Sequence, residues 1–502
     1  MVGGSAQLST SQKVALVGAG VAGLCTALAL SRKGFAVDVF ERDIPPPEGS
    51  PDQAFFEWQR RGAAQFKHPH AFLGLMCSIL EQHYPDLLAD FYAAGARKVA
   101  FDQMVPPHLK EQYIPEPGDA KMWVLMCRRA TMETVFRSYV EKQENIRIAN
   151  TTYVTRVHTE RTEDEISVTG LELTDRKNGN RKSTYHADLY VDAAGRASKF
   201  RGWLQDAGAD ISEQRDDAEI VYYTRHYKLL AGVDEPDRHK NDPSAGDVGY
   251  MKYGVFPGDG GHFALIICLP NDELELRQAV KDGDKFDAIC RQIPGLVPWI
   301  APDKAEPTTP AFGIGKIHAV WRYFQKEESA QILNFFAVGD ACTRTNPLYG
   351  RGCSIGILHA HILADTLSTI ADPTERAIEF EKRTLERIRP IYDASLNEDK
   401  NGIRRAAAVR AGKDRNPPDS LKKWFGLAFG DALLAAVRNE MHVFRGMMRT
   451  VNLIEKPGAF LKDAKIRRTV LRYMLKGRKK NGQFRVQRGP SREEMLTFVK
   501  NL

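Results

Sequence analysis

Two glycine-rich turns carry the residue types in this chain best suited to gripping an anionic ligand. The first follows the apolar run Val14–Val17, where Gly18, Gly20 and Gly23 stand in Gly-x-Gly-x-x-Gly spacing and Glu41 comes about 20 residues later. The second lies in the stretch Phe335 to Leu367. There the apolar residues stop at Val338, Gly339-Asp340 follows, and Pro347-x-x-Gly350-x-Gly352 leads into a helix-like run. Glycine lets a backbone come close to a flat or charged ligand. A helix beginning just afterwards offers free N–H groups and the positive end of its dipole.

The flanking elements decide whether such turns are more than flexible corners. Val14 to Val17 reads as a short buried strand, Leu24 to Ser31 as a helix, and Ala36 to Phe40 as a second strand ending at Glu41. In this strand–helix–strand context Gly18 permits the tight turn, Gly20 admits a pyrophosphate and Gly23 lets helix and strand pack closely. Glu41 is then expected to accept hydrogen bonds from the adenosine ribose, with Arg42 beside it among the cofactor contacts. The first motif alone does not choose between NAD and FAD. FAD needs a second grip for its ribityl chain and ring, and the later segment supplies one roughly 320 residues on. Asp340, after Gly339 at a strand end, suits the ribityl hydroxyls, and Gly350 and Gly352 suit the ring. A helix starting near Ser354 directs its positive end at the N1/C2=O edge of the flavin.

Taken together, these segments resemble the FAD-dependent monooxygenases of the p-hydroxybenzoate hydroxylase fold. The middle motif of that group is matched by "DLYVDAAGRAS", with Asp192, Gly195, Arg196 and Ser198. "RRATMETVF" is similar to its Arg-x-x-x-Glu helix start, with Arg129 and Glu133; the resemblance implies that Arg129 approaches the FAD diphosphate. It also implies an α/β fold: a Rossmann-like FAD-binding domain interleaved with a mixed β-sheet substrate domain, plus a C-terminal helical region. The expected boundaries are 13–215 and 331–372 for the two FAD-binding parts, 216–330 for the substrate domain and 373–502 for the helical region. The segment Arg60 to Leu75, "RRGAAQFKHPHAFLGL", looks like the corresponding stretch of bacterial flavin epoxidases acting on polyketide olefins. Arg60 is assigned there to phosphate or ribose-side oxygens, and Gln65 and His68 to flavin or loop hydrogen bonds. The His68-Pro-His70 pair has no third ligand at metal spacing. Arg351 stands where that branch carries Gln and Cys353 where it tends to carry Met; both are expected to face flavin or substrate.

The chemistry implied by the resemblance is oxygen transfer from dioxygen through a flavin C4a-hydroperoxide, epoxidising or hydroxylating a mostly apolar small molecule, as in secondary metabolism. Pro347, Gly350 and Gly352 are placed at the reacting edge of the ring. The electron donor is NADPH or NADH, or a partner flavin reductase, since only one dinucleotide fingerprint is visible. Two alternatives remain open. A flavin halogenase shares the fold, although its Trp-x-Trp-x-Ile-Pro motif is absent. A flavin reductase of isoprenoid double bonds is the other. Strand-like runs after Ala218 provide the substrate sheet, with Tyr222, Tyr253 and Phe263 as lining aromatics. His359 and His361 read as helix-surface or core residues, not catalytic bases.

Composition sets the remaining limits. With 502 residues, 43% apolar and 27% charged, the chain is an ordinary globular protein, and no run of ~20 apolar residues suggests a membrane span. The seven scattered cysteines form no Cys-x-x-Cys pair, which fits a reducing cytoplasm. The polar start "MVGGSAQLSTSQ" reads as a frayed lead-in. From Val451 to Leu502 there are 14 Lys/Arg against 4 Asp/Glu, while the rest of the chain is slightly acidic. This basic tail reads as a helical lid over the catalytic domain or, alternatively, as a peripheral membrane contact. No nucleic-acid module is recognisable. "DRNPPDS" (Asp414 to Ser420) reads as a linker, Asn178-Gly179 as a hairpin turn, and Pro390 as a helix break.

Overall fold

The computed structural model describes residues 12–239, 241–326, 329–413 and 420–502. The polar lead-in up to Ser11 and the linker up to Asp419 lie outside the described residues. In chain order, the elements that position the site begin with β1 (Lys13–Val17), α1 (Val21–Ser31), β2 (Ala36–Phe40), α2 (Arg129–Glu141), β3 (Ile146–Ala149) and β4 (Leu189–Asp192). They continue with β5 (Ile220–Leu229), β6 (Lys252–Pro257), β7 (His262–Pro270), β8 (Phe335–Ala337), α3 (Gly352–Thr369) and α4 (Arg389–Arg410). The C-terminal helices are α5 (Leu421–Asn439), α6 (Met441–Val451), α7 (Ala464–Met474) and α8 (Arg492–Lys500).

The central sheet is parallel throughout, in the order β8–β4–β1–β2–β3. Strands covered on both faces need continuous apolar runs, and Val14 to Val17 and Leu189 to Val191 are buried in this way. α1 is rich in Ala and Leu and is buried along nearly its whole length, because α3 packs against it from the other side. Chain order runs outward from β1 in one direction through β2 and β3, then in the other through β4 and β8. The switch point therefore falls between β1 and β4, where open α/β sheets bind ligands.

A second, largely antiparallel sheet is built around β5, β6 and β7. Its outer face packs on helices Leu274–Ala279 and Gly283–Cys290 and on Met495 of α8. Its inner face meets the site through Tyr222, Cys268 and Leu348. The Asn178-Gly179 turn joins strands Ile166–Asp175 and Arg181–Tyr185, with Gly179 and Asn180 both at positive φ (66° and 60°). Pro390 marks a joint: one helix ends at Arg387 and α4 begins at Arg389, with the proline in its first turn, where the missing N–H costs nothing.

The C-terminal helices form their own apolar cluster, including Ala432, Ala436, Val443, Phe460 and Val470. This layer is fastened to the body by Arg445, which pairs with Asp119 at 2.8 Å and Glu116 at 2.7 Å. Asn452 adds a second tie, its Oδ1 accepting the Gly74 N–H at 3.0 Å. Among the described residues no helix is long and apolar enough to cross a membrane.

Candidate functional site

Strand register brings the three sequence motifs to one edge. Val17 pairs with Asp192 and Asp192 with Ala337, so the chain leaves β1, β4 and β8 side by side. Glycine makes the close approaches possible. A Cβ on Gly18 would lie 2.5 Å from the Ala193 carbonyl oxygen, and one on Gly339 would lie 2.6 Å from Ala22 Cβ. On Gly195 it would touch Asp340 Cβ at 3.9 Å. First, middle and last motifs thus meet pairwise.

Two helix N-termini open at this junction without caps. Neither Gly20 before α1 nor Arg351 before α3 supplies a side-chain cap, and neither helix has an acid in its first turn. Ser50, Asp282, Asp372 and Asp463 cap other helices with side-chain oxygens, while α2, α4 and α6 are uncapped like these two. The first N–H groups of α1 and α3 are therefore left for a ligand. A Cβ on Gly20 or Gly352 would meet nothing within 4 Å, so backbone faces open space at both turns. The half-buried Asp340 carboxylate makes no hydrogen bond among the described residues. Burial pushes its pKa up, against the pull of Arg344, Arg129, Arg196 and Arg322. His359, buried at the middle of the α3 packing face, takes the Gly339 N–H on Nδ1 at 3.3 Å. Its ring proton then sits on Nε2, facing Thr384 Oγ1 at 3.1 Å. Burial holds this imidazole down to about 3. It is a neutral brace for the last motif, a role the sequence reading did not assign.

At the other end, two residues expected at the ligand, Glu41 and Arg60, make internal contacts. Glu41 is 4% exposed; its Oε2 accepts the Ala19 N–H at 2.8 Å and its Oε1 the Asp43 N–H at 2.9 Å. Arg60 is buried and donates from Nε to Glu133 Oε2, from Nη1 to Asp43 Oδ2 and from Nη2 to the Ala19 carbonyl, each at 2.8 Å. It also lies 3.1 Å from Glu41 Oε2. Both residues thus brace the first glycine loop from behind. Arg42 lies at the rim, half-buried, with Nε 4.0 Å from Asp43. Arg129 is placed differently: Nε donates to Glu133 at 2.6 Å and Nη1 to Cys353 Sγ at 3.2 Å, leaving Nη2 without a partner among the described residues. Burial acts to raise the Glu133 carboxyl, but Arg129 and Arg60 beside it hold it down to about 2. Buried Asp192 is raised by burial to about 6 even though the Ala194 N–H and Ser198 hydroxyl both reach it.

The last turn is held by a buried polar chain. Tyr222 donates to Asn346 Oδ1, which also accepts the Leu348 N–H at 3.0 Å; Asn346 Nδ2 and the Tyr349 hydroxyl both donate to Asp399 Oδ1, at 2.7 and 2.8 Å. Pro347 and Gly352 are left exposed and Gly350 half-buried at φ +64°. Arg351 lays its guanidinium over the Tyr349 ring, 5.0 Å from its centre, and donates to Ser395 Oγ at 2.6 Å and Glu398 at 3.0 Å on α4. Cys353 stays at the junction on Arg129. His68 bonds Thr224 Oγ1 at 2.9 Å, and burial lowers it to about 4. Gln65 is half-buried, and its carbonyl accepts the His68 N–H at 3.0 Å. The three aromatic expectations divide by face. Tyr222 lies on the inner face beside Cys268 and Leu348, whereas Tyr253 and Phe263 belong to the outer core, and Phe263 also lines a small pocket with His68, His70 and Arg129.

A family model described as an NAD(P)-binding Rossmann-like domain matches residues 16–45. Protein Rv3254 of Mycobacterium tuberculosis is 25% identical over 409 residues, 75% of this chain and 78% of its own length. The solved flavin-dependent brominase Bmp2 superposes with TM-score 0.58 at 14% identity, over 93% of this chain and 100% of that one. PqsL of Pseudomonas aeruginosa, described as a probable FAD-dependent monooxygenase, superposes with TM-score 0.54 at 16% identity, over 83% of this chain and 99% of its own. The chain therefore has the α/β fold of these proteins: a Rossmann-like nucleotide-binding domain, several sheets and C-terminal helices.

Proposed function

We propose that this protein is an FAD-dependent monooxygenase that epoxidises or hydroxylates a mostly apolar small molecule. The observation that carries the reading is the junction itself, where two uncapped helix N-termini and the unpartnered Asp340 carboxylate meet around open glycine backbone. The donor set suits FAD. The α1 N-terminus with Gly20 and Arg129 Nη2 would hold the diphosphate, and Asp340 the ribityl hydroxyls. The turn Pro347–Gly352 with the α3 N-terminus would hold the ring. Bound and reduced, with electrons from NADPH, NADH or a partner reductase, FAD supplies the activation of dioxygen.

The chain's own part is positioning and exclusion of water. Backbone N–H groups at the start of α3 place positive potential where negative charge gathers. His359 and the Tyr222–Asn346–Asp399 chain stop the two halves of the last motif from shifting. His68 and His70, lowered by burial to about 4 and 3, stay neutral near pH 7 and serve as hydrogen-bonding groups, not acids. Halogenation is the second reading, favoured by the likeness of the fold to a brominase.

Reconstitution with FAD followed by reaction of the reduced protein with isotopically labelled dioxygen tests both. Label in an oxygenated product supports the proposal; strict dependence of turnover on bromide or chloride favours the second reading. Colourless protein that takes up no FAD overturns both.

A further inference from the structure

A cleft open to solvent lies behind the Pro347–Gly350 turn, between the β5–β7 sheet and α4. Its walls mix apolar side chains, such as Ile220, Met251, Leu348 and Ile403, with a single deeply buried carboxylate, Asp399. Asp399 is 5% exposed. Its Oδ1 is saturated by Asn346 Nδ2 and the Tyr349 hydroxyl, at 2.7 and 2.8 Å. Its Oδ2 is buried and has no hydrogen-bond partner. A buried carboxylate oxygen without a donor is costly. It is the kind of atom that a ligand satisfies.

We propose that this is the substrate cleft of the reaction above, and that its ligand is an apolar molecule bearing a hydroxyl or amine whose hydrogen is accepted by Asp399 Oδ2. The inference rests on the monooxygenase reading for the chemistry but not for the binding. Two further features point the same way. The lining carries five carboxylates against three basic side chains, which disfavours an anionic ligand. The residue that would hold the ligand is hydrogen-bonded to Asn346 and Tyr349, which flank Pro347 and so the reacting edge of the turn. Asp399 is then a positioning and specificity residue: it fixes which end of the molecule lies deep and which lies toward the turn.

Asp399→Asn is a discriminating change. The amide oxygen can still accept from Asn346 and Tyr349, while the group in the place of Oδ2 turns from acceptor to donor. Four probes of one shape are measured by equilibrium dialysis, on the FAD-loaded protein and on the FAD-free chain: 2-naphthol, 2-naphthylmethylamine, 2-methoxynaphthalene and 2-naphthoate. The expected result is that the alcohol and the amine bind at least about tenfold tighter than the ether and the carboxylate, and that Asp399→Asn removes this preference without weakening the ether. Ala406→Trp, which fills the cleft from α4 and leaves the hydrogen-bond chain alone, should abolish binding of all four. Equal binding of 2-naphthol and 2-methoxynaphthalene, an equal loss of both in Asp399→Asn, or full binding in Ala406→Trp overturns the proposal. Selective probe binding by a chain that refuses FAD would remove the oxygenation reading and leave the cleft; FAD uptake without selectivity would do the reverse.

Discussion

Arg60 Nε donates to Glu133 Oε2 over 2.8 Å, and this bond ties the loop after β2 to α2 behind the first glycine turn. Both side chains are buried, and Asp43 and Glu41 crowd the same guanidinium. Removing one partner of such a cluster leaves uncompensated charge. Arg60→Leu is therefore expected to lower unfolding free energy by about 3–5 kcal/mol. Arg60→Lys should recover less than half of it, because an ammonium cannot match three acceptors in a plane. Urea titration of the FAD-free protein reads the effect; a change under ~1 kcal/mol for Arg60→Leu would show that the cluster is not structural.

Asp340 gives the opposite pattern. Its carboxylate has no hydrogen-bond partner of its own among the described residues, and burial opposes its charge. Asp340→Ala should leave the melting temperature of the FAD-free protein unchanged or slightly raised. FAD affinity should fall by about tenfold or more, a loss of ~1.4 kcal/mol or greater. Fluorescence titration with FAD measures the second quantity, and undiminished affinity would remove Asp340 from the site.

The glycines separate architecture from ligand approach. At Gly339 (φ +57°) a Cβ would fall 2.6 Å from Ala22 Cβ, so Gly339→Ala is expected to destabilise the free chain by roughly 2 kcal/mol or more. A Cβ on Gly20 or Gly352 meets nothing, and Gly20→Ala and Gly352→Ala should change stability by less than ~1 kcal/mol while weakening FAD binding. Thermal melts with and without FAD distinguish the two classes.

Asp192 sets a pH dependence. Burial raises its folded-state value to about 6, from the ordinary carboxyl value of 3.8. Between those limits the folded protein holds a proton that the unfolded chain has released. Its contribution to stability is therefore present at low pH and lost as pH rises through about 6. Asp192→Asn escapes this loss. The variant's stability relative to wild type should improve by on the order of 1–3 kcal/mol between pH 4 and pH 7.5. A flat difference across that range would mean that Asp192 is charged throughout.

The C-terminal layer leaves apolar side chains exposed at the start of α5 and at Leu471 and Leu475. At the start of α5, Leu421, Trp424 and Phe425 are 80%, 40% and 57% exposed, with Lys422 beside them. Aromatic and aliphatic groups mixed with lysines suit the interface of an anionic bilayer. We propose that this turn makes a peripheral membrane contact. Flotation with phosphatidylserine vesicles should carry the protein upward, and replacing Leu421, Trp424 and Phe425 with Ser should abolish it. Equal flotation of both forms would place the contact elsewhere, and no flotation of either would end the idea.

The site was legible where its signals are local. Gly18, Gly20 and Gly23 between β1 and α1, Gly339-Asp340 after β8, and the Pro390 joint can each be read within a few residues, because turn geometry and helix starts depend on immediate neighbours. What escaped depends on partners far along the chain. Arg60, expected on phosphate or ribose-side oxygens, and Glu41, expected on ribose, also contact one another, Asp43, Glu133 and the Ala19 backbone, an arrangement no local pattern encodes. Arg351 likewise found Ser395 and Glu398 on α4. The aromatics split for a simpler reason. Tyr222 pairs with Cys268 and Tyr253 with Ile267, one step apart on β7, and one step in a strand is the other face of the sheet. His359, read from the sequence as a helix-surface or core residue, is buried, and its hold on Gly339 could be seen only once α3 lay beside β8.

The pairing of β4 with both β1 and β8 has a consequence for biosynthesis. The junction of the three motifs has no closed wall until residue 337 has left the ribosome and slotted in beside Asp192. Such long-range closures are slow. On the proposed reading, a nascent chain of the first two hundred residues would own the diphosphate turn but lack the ribityl and ring contacts. FAD loading would then be a late event, and flavin shortage would leave finished but empty polypeptides, not stalled ones.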